Sequence, residues 1–322
     1  MQHRSWKAAA RLACGIALGL AALGAAPADA PITYWSNVET VVVRANPGQP
    51  LWHIVKGNSE VWIVGTVSPV PKDLAWDRNE LTTLLKGAKA LLLPPKASVD
   101  LVEGLWFYMW HMDTLEQPDG QTLEGSLAEP LRSRFVAART RAKQEADRYE
   151  KYLPAVAALM LESDYLKSVD FSYREPQRTI EALARRAGVP VRTIADYPAM
   201  DMVHEVPRMS PAAHRLCVEN ALSDIDTYGA HGAAAAEAWA VGDLDGIKAN
   251  YSESRLDACL SQNAAYLALR ERGIRDETNA IIGALARPGK AIAVIPMGFF
   301  LRKGGVLERL QAAGLTVTGP GG

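Results

Sequence analysis

The chain has 322 residues and a formal net charge of −1, because 35 lysines and arginines nearly balance 36 aspartates and glutamates. No long run of one charge stands out, so the composition argues against a nucleic-acid-binding surface. Beyond the N-terminus, no apolar stretch approaches the roughly 20 residues that a membrane-spanning helix needs. We therefore expect no nucleic-acid partner, and no membrane span in the mature chain.

The N-terminal segment has the pattern of a cleaved signal peptide. Three basic residues occur within the first eleven positions, residues 12–23 are apolar or small, and residues 25–30 are rich in small side chains. This order is typical of export signals, and the apolar run is too short to span a bilayer. We predict a signal peptide over residues 1–30, a single domain over residues 31–322, and a periplasmic or secreted protein.

Two features of this segment leave alternatives open. Cleavage after Ala30 would put Pro31 just past the cut, which is unfavourable, so cleavage near Ala25 or Ala26 is equally compatible with the pattern. An uncleaved segment would instead act as an N-terminal anchor.

Two cysteines, Cys217 and Cys259, belong to the predicted mature chain. In an oxidising compartment an even number of cysteines favours a disulfide, and two free buried thiols are the alternative. The chain has no Cys-x-x-Cys motif, so the sequence supports neither a zinc knuckle nor a redox motif.

The first predicted elements are strand, strand, helix and strand. Residues 51–55 and 61–65 are short apolar runs around a Gly-Asn turn, which is typical of a β-hairpin. Leucines at helical spacing predict a helix over residues 78–88. Residues 90–93 form a short apolar run that stops at two prolines, which predicts a buried strand.

The middle of the chain is predicted to be mainly helical. The segments concerned are helices over residues 131–152, 154–166 and 176–186, a strand over 189–194, and helices from 199 to 279 with breaks near 229–232 and at 242. The first helix is dense in Arg, Lys and Glu, which indicates a solvated face.

The C-terminal part returns to alternating strands and helices. We predict a strand over residues 290–295, a helix from Gly304 to Leu310, and a last strand over 315–317. The first and last parts of the chain are expected to share one sheet, with the helical middle as an insert or cap. The predicted fold class is therefore α/β, or mixed α+β.

Several segments resemble the TraB/GumN proteins. The resemblance implies a central mixed β-sheet flanked by helices, and it extends over nearly the whole mature chain. It rests on residues 51–52, 61–66, 88–93, 118–123, 152–155 and 304–310, together with Gly314 and Val317.

The resemblance also implies where chemistry should lie. Some members, the animal Tiki proteins, act as divalent-metal peptidases, and the family pattern has two Gly-x-x-His motifs and a Glu after a buried strand. Imidazole nitrogen and carboxylate oxygen are suitable ligands for such ions, and a bound ion can activate water.

This chain departs from the pattern at each of those places. The first motif begins at Gly65 but has Ser68 where the histidine belongs, and Pro94 stands at the position of the glutamate. The second motif has Pro296 in place of glycine and Phe299 in place of histidine. Because these side chains offer almost no donor atoms, we expect a degenerate site without a metal cofactor or a catalytic residue.

Other candidate residues are weaker. His111, Asp113 and Glu116 are close in sequence and could contact one metal, although a solvated helix end is the simpler interpretation. Ser68 lacks the Gly-x-Ser-x-Gly context of a nucleophile and is better interpreted as a turn or cap residue. An aromatic cluster either packs in the core or lines a peptide- or ligand-binding groove; it consists of Trp106, Phe107, Tyr108 and Trp110.

Three functions are compatible with these sequence features. The first is an inactive relative of metal-dependent peptidases that binds a peptide or an envelope protein. The second is a hydrolase with a relocated Mn or Zn site, which would need His111, Asp113 or Asp196 beside Ser68. The third is a structural envelope protein, and the fold alone does not discriminate among the three.

Overall fold

The computed structural model describes Trp35 and residues 48–320 of the chain. The predicted signal peptide, residues 1–30, lies outside the described residues. The strands are β1 Leu51–Lys56, β2 Ser59–Thr66, β3 Val70–Pro71, β4 Ala90–Leu93, β5 Lys96–Ser98, β6 Phe171–Ser172, β7 Val191–Thr193, β8 Asp196–Pro198, β9 Gly289–Pro296 and β10 Val317–Thr318.

Helices connect and cover these strands. They are α1 Asn79–Leu85, α2 Leu101–Trp110, α3 Leu123–Ser126, α4 Leu131–Arg141, α5 Pro154–Ser168, α6 Gln177–Arg186, α7 Met200–Glu205, α8 Pro211–Ala240, α9 Leu244–Asn250, α10 Leu256–Leu260, α11 Ala264–Leu285, α12 Met297–Leu301 and α13 Val306–Ala312. Short 3₁₀ turns occur at Met112–Leu115, Ala146–Tyr149 and Val206–Arg208.

The main sheet has six strands in the order β10-β1-β2-β9-β4-β7. The pairs β10–β1 and β1–β2 are antiparallel, whereas β2–β9, β9–β4 and β4–β7 are parallel. The sheet is therefore mixed, as the resemblance implied, and the first and last parts of the chain share it as predicted. Beyond the carboxyl ends of β4 and β7, the chain continues as a second parallel pair, β5–β8.

Both faces of the sheet are buried, and alternate residues of each strand point to opposite faces. On one face Ile63 and Ile295 belong to a core that includes Trp239 of α8 and residues of α11, α12 and α13. On the other face Val64 and Val294 pack with α1 and α6. The strands are consequently apolar almost throughout, which is typical of parallel sheets covered on both sides.

The helical middle forms a second core beside the sheet. It is built from α4, α5, α8 and α10, and its largest fully buried side chains include Phe135, Tyr149 and Leu161. The predicted solvated helix of residues 131–152 thus has a buried stripe, and it ends early. The prediction of its length was wrong because α4 stops at Arg141 and Lys143 adopts a positive φ of 56°.

The predicted break near residues 229–232 was also wrong, since α8 runs unbroken from Pro211 to Ala240. A Cβ atom at Gly229 would lie 2.8 Å from the Tyr165 hydroxyl, and one at Gly232 would lie 3.0 Å from the Phe171 ring. These glycines permit close packing of α8 rather than interrupting it. The break at Gly242 is confirmed, where φ is +73°.

Within the described residues, no helix combines the length and the apolarity that crossing a membrane would require.

A disulfide joins Cys217 of α8 to Cys259 of α10, with the two Cα atoms 5.0 Å apart. Both residues are fully buried in the second core. The bond holds the short helix α10 against α8 and closes a loop of 42 residues.

Replacing both cysteines by alanine should lower the free energy of unfolding by about 4 kcal/mol, because the open chain regains loop entropy. Chemical denaturation of the oxidised protein, the reduced protein and the double variant checks this. The reduced protein and the double variant should agree closely. An oxidised protein no more stable than the reduced one would contradict the prediction.

Candidate functional site

The parallel strands end at one edge of the sheet, where sites form in α/β proteins. Thr66 at the end of β2 lies opposite Pro296 at the end of β9, and Leu92 of β4 lies opposite Ala293. This carboxyl edge therefore brings together the segments after β2, β4 and β9. They are the same three segments in which the family pattern expects metal ligands.

At the end of β2, aromatic side chains pack closely against the backbone. The Trp239 indole nitrogen donates a hydrogen bond of 2.7 Å to the carbonyl oxygen of Gly65. A Cβ atom at Gly65 would lie 2.5 Å from the Trp52 ring, so only glycine fits at this position. Ser68, three residues later, is partly buried.

After β9, the chain turns directly into α12 and is mostly apolar. Met297 is fully buried, and Phe299 packs against the core that contains the sheet face. A Cβ atom at Gly298 would lie 3.2 Å from the Glu253 carboxyl group. That carboxyl group lies 3.9 Å from the Arg302 guanidinium, so a largely buried ion pair lies beside this segment.

Pro94 follows β4 and leads into the β5–β8 pair. There Asp196 pairs with Lys96 at 3.0 Å, and hydrogen bonding by Ser98 lowers the pKa of Asp196, as does its bond to Lys96. Carboxylates that already have such partners are poor candidates for a vacant metal site.

The remaining candidate ligands are exposed or already form an ion pair. His111 and Asp113 are exposed on the surface, and Glu116 pairs with Lys151 at 2.7 Å. In the described part of the chain, no group of three or more His, Cys, Asp or Glu side chains could hold a metal ion. The prediction that this protein has no metal cofactor stays a prediction.

Helix α2 exposes several large apolar side chains. Asp100 caps its N-terminus by accepting hydrogen bonds from the backbone N–H groups of Val102 and Glu103, at 2.9 and 3.2 Å. Phe107 is its buried anchor and contacts the His204 ring, with ring centroids 5.5 Å apart.

The outward side of α2 is almost entirely apolar. We define the α2 ridge as its seven exposed apolar residues, which are between 54% and 84% exposed: Leu101, Val102, Leu105, Trp106, Tyr108, Met109 and Trp110. Because successive helix residues are about 100° apart, these side chains cover about 200° of the circumference. Of the predicted aromatic cluster, only Phe107 is in the core, and the other three residues are on the ridge.

A family model described as the TraB/PrgY/gumN family matches residues 50–319. The chain belongs to the TraB/PrgY/gumN family. No curated protein and no solved structure matches the chain. The family match covers every strand of the main sheet and the helical second core, so the whole described fold is that of a TraB/PrgY/gumN protein.

Sequence reasoning missed the buried acids of this TraB-family chain, and Glu277 of α11 is one of them. It lies on the buried stripe between Ile274 and Ile281, is fully buried, and neither of its carboxyl oxygens has a hydrogen-bond partner in the described structure. Burial raises the pKa of Glu277 to about 8. A Glu at helical spacing within an apolar stripe was the signal that could have revealed it.

Glu277 of α11 lies near Tyr197 of β8, in the extension of the sheet. It is close enough to the Tyr197 hydroxyl of β8 to contribute to raising the pKa of Tyr197, although burial and the hydrogen bond to Asp276 contribute more. The Tyr197 hydroxyl donates that bond to Asp276 at 2.8 Å. Burial therefore favours the neutral form of the Glu277 carboxyl group.

The buried acid should make folding pH-dependent. The pKa of Glu277 is about 8 in the folded chain, above the value of about 4.3 expected in the unfolded chain. The contribution of protonated Glu277 to the free energy of unfolding is therefore full below pH ~4 and is lost as the pH rises through 8. The Glu277→Gln variant should lose less stability between pH 5 and 8.5 than the parent protein, by a few kcal/mol at about 1.4 kcal/mol per pKa unit. Urea unfolding at a series of pH values measures this difference.

Glu237→Gln is the matched control, because this substitution makes the same chemical change at an exposed residue of α8. Its pH dependence should follow that of the parent protein. Parallel stability curves for the parent and Glu277→Gln would show that Glu277 is ionised in the folded state.

Proposed function

We propose that this TraB-family chain is an exported protein without metal-dependent peptidase activity, and that it acts by binding a partner protein. The α2 ridge is the observation that carries the proposal. A segment of seven exposed apolar residues, three of them Trp or Tyr, would be unfavourable in water unless something covers it.

The side chains at the carboxyl edge support the loss of catalysis. Ser68 supplies a neutral hydroxyl where the family pattern has an imidazole, and Pro94 and Phe299 supply no donor atom. Divalent ions in proteins need several converging nitrogen, oxygen or sulfur ligands. The space after β9 is occupied by packed apolar side chains and by the Glu253–Arg302 pair.

The composition and shape of the α2 ridge support a protein partner. Trp and Tyr are enriched among the residues that dominate binding energy at protein interfaces. A helix exposed over about half of its circumference is convex, which suits insertion into an apolar groove on a folded partner. The Asp100 cap and the Phe107 anchor hold the helix in place before binding, so little ordering is needed.

Two observations support export. The N-terminal 30 residues have the composition of a signal peptide, and the Cys217–Cys259 disulfide is compatible with an oxidising compartment. The partner would then be a periplasmic, envelope or extracellular protein.

Metal analysis and a peptidase assay test the catalytic half of the proposal. The protein should retain far less than one equivalent of manganese, cobalt or zinc after exposure to each ion and desalting, and should not cleave a mixture of fluorogenic peptides. Stoichiometric metal together with cleavage that a chelator abolishes would favour a relocated hydrolase site and overturn the proposal.

Substitution on the α2 ridge tests the binding half. Trp106→Glu should weaken binding to a purified partner by about tenfold or more, since losing an aromatic anchor commonly costs over ~1.4 kcal/mol. The partner is identified by cross-linking in extracts of the exported fraction and is then measured as a purified protein. The thermal stability of the variant should be unchanged, because Trp106 is 57% exposed.

Val241→Glu is the matched control, since Val241 is 52% exposed at the end of α8 and lies outside the ridge. This variant should bind the partner as the parent protein does. A partner whose affinity is equal for Trp106→Glu and the parent would exclude the α2 ridge as the docking surface.

A further inference from the structure

The main sheet has a groove at the end where β7 is the outermost strand. The groove has a volume of about 690 Å³, which lies within the range of about 300–1,000 Å³ that is usual for small-molecule sites. It is lined by Ala90 and Leu92 of β4 and by Ala280, Gly283 and Ala284 of α11, among others. We call it the β7 groove, and it shares no residue with the α2 ridge or with the motif positions at the carboxyl edge.

Small residues of α11 leave the β7 groove open. Ile281 and Leu285 of this helix are buried in the core on one face of the sheet, whereas the residues that α11 turns to the groove are alanine and glycine. A Cβ atom at Gly283 would meet no atom of the described structure within 4 Å. Because most of the residues that line the groove are apolar, a hydrocarbon chain placed there would be removed from water.

Every charged residue among those that line the β7 groove is basic: Lys89, Arg192, Arg287 and Lys290. Arg192 lies opposite Leu92, which packs against the core that contains α11, so the Arg192 side chain leaves the sheet on the α11 face. Arg192 and Arg287 are exposed, and neither guanidinium forms a hydrogen bond or an ion pair with a described residue. Two cations that a ligand can reach therefore lie beside an apolar groove.

The other polar side chains of the groove also favour an anion. The Lys89 ammonium donates to the carbonyl oxygen of Pro288, and the Lys290 ammonium donates to that of Lys86 at 2.9 Å. Both lysines therefore keep their full positive charge near the groove, without a carboxylate partner in the described chain. The exposed Thr193 hydroxyl has no hydrogen-bond partner among the described residues and can donate to an anion.

We propose that the β7 groove binds a small amphiphile that carries an anionic head group, carboxylate or phosphate, on an unbranched hydrocarbon chain. A guanidinium group matches either head group with two parallel N–H donors. The chain would lie along Leu92, Ala280 and Ala284. At ~30 Å³ for each water-sized group, the groove has room for about 20 such groups, which is more than dodecanoate needs. The apolar lining favours a hydrocarbon chain over an acidic peptide, whose backbone would need polar partners.

The direct test is calorimetric titration of the purified chain with sodium dodecanoate, at concentrations below those at which it forms micelles. We expect saturable binding of about one equivalent. Dodecyltrimethylammonium has the chain with the opposite charge, and butyrate has the head group without the chain, so each should bind at least tenfold more weakly. Absence of saturable dodecanoate binding, equal binding of either analogue, or tighter binding of a hexaglutamate peptide would overturn the proposal.

Two variants at one position test the sign of the charge. Gly283→Glu places a carboxylate at the groove and should weaken dodecanoate binding by about tenfold or more, which corresponds to ~1.4 kcal/mol. Gly283→Lys should bind dodecanoate at least as tightly as the parent. Both new residues favour a helix more than glycine does, so neither variant should be less stable. Equal affinities of the two variants would contradict the assigned site.

Gly273→Glu is the matched control for the charge. A Cβ atom at Gly273 of α11 would also meet no described atom within 4 Å, and Gly273 does not line the groove. This variant should bind dodecanoate as the parent does.

Replacing the arginines tests the contact with the head group. Arg192→Gln and Arg287→Gln should each weaken dodecanoate binding about tenfold, and the exposure of both residues makes a loss of folding unexpected. Arg186→Gln removes an exposed arginine of α6 outside the groove and should leave binding unchanged. Parent-like binding by both groove variants would exclude the groove as the site.

Two further comparisons identify the source of the head group and exclude the α2 ridge. Tighter binding of dodecyl phosphate than of dodecanoate would indicate a phosphate-bearing lipid, and the reverse order would indicate a free fatty acid. Trp106→Glu should bind dodecanoate as the parent does, so a loss of binding in this variant would place the site on the ridge and overturn the proposal. Since the groove and the ridge share no residue, failure of the groove would leave the proposed function untouched.

Discussion

The fold depends on the insertion of β9 between β2 and β4. All eight residues of β9 pair in parallel with β2, from Gly289 opposite Ser59 to Pro296 opposite Thr66. These strands are more than 200 residues apart in sequence, so their pairing brings together distant parts of the chain. Such long-range pairing costs loop entropy before it gains contacts.

The central position of β9 also determines which helices surround the carboxyl edge. Alternate residues of β9 are buried against α11 and α12 on one face and against α1 and α6 on the other. Trp239 then ties α8 to the sheet through the carbonyl group of Gly65. Helix α8 therefore connects the helical core to the sheet edge at which α/β proteins place their sites. The same helix carries Cys217 of the disulfide.

Strand and helix positions were largely predictable because their signals are local. The β1–β2 hairpin, β4, α5, α6 and β9 follow from apolar periodicity, prolines and glycines. The errors arose where distant contacts decide the outcome. Gly229 and Gly232 sit within a continuous helix since Tyr165 and Phe171 pack against them, and no local rule describes that packing.

The candidate sites were less predictable for the same reason. Ser68, Pro94, Pro296 and Phe299 could be named only because a family resemblance aligned them, and the exposure of α2 depends on how Phe107 anchors it. The groove between α5, α10 and α11 is lined by residues from positions 159 to 266, which only the folded chain brings together. Such a constellation exists only in the folded chain.

The three most buried acids, Asp224, Glu277 and Glu162, differ in the hydrogen-bond partners of their carboxyl groups. Asp224 accepts hydrogen bonds from the backbone N–H groups of Arg255 and Leu256, so it serves as a structural cap for α10. Neither carboxyl oxygen of Glu277 has a hydrogen-bond partner among the described residues, whereas Glu162 accepts a hydrogen bond from the Tyr173 hydroxyl.

Burial raises the pKa of all three acids, to about 8 for Glu162 and for Glu277. In this TraB-family fold the segment at the sheet edge after β9 is filled by apolar side chains, and seven exposed apolar residues lie instead on the α2 ridge. Under the proposed function, the family fold would be retained as a scaffold that positions the α2 ridge, because function resides in sites and not in the fold itself.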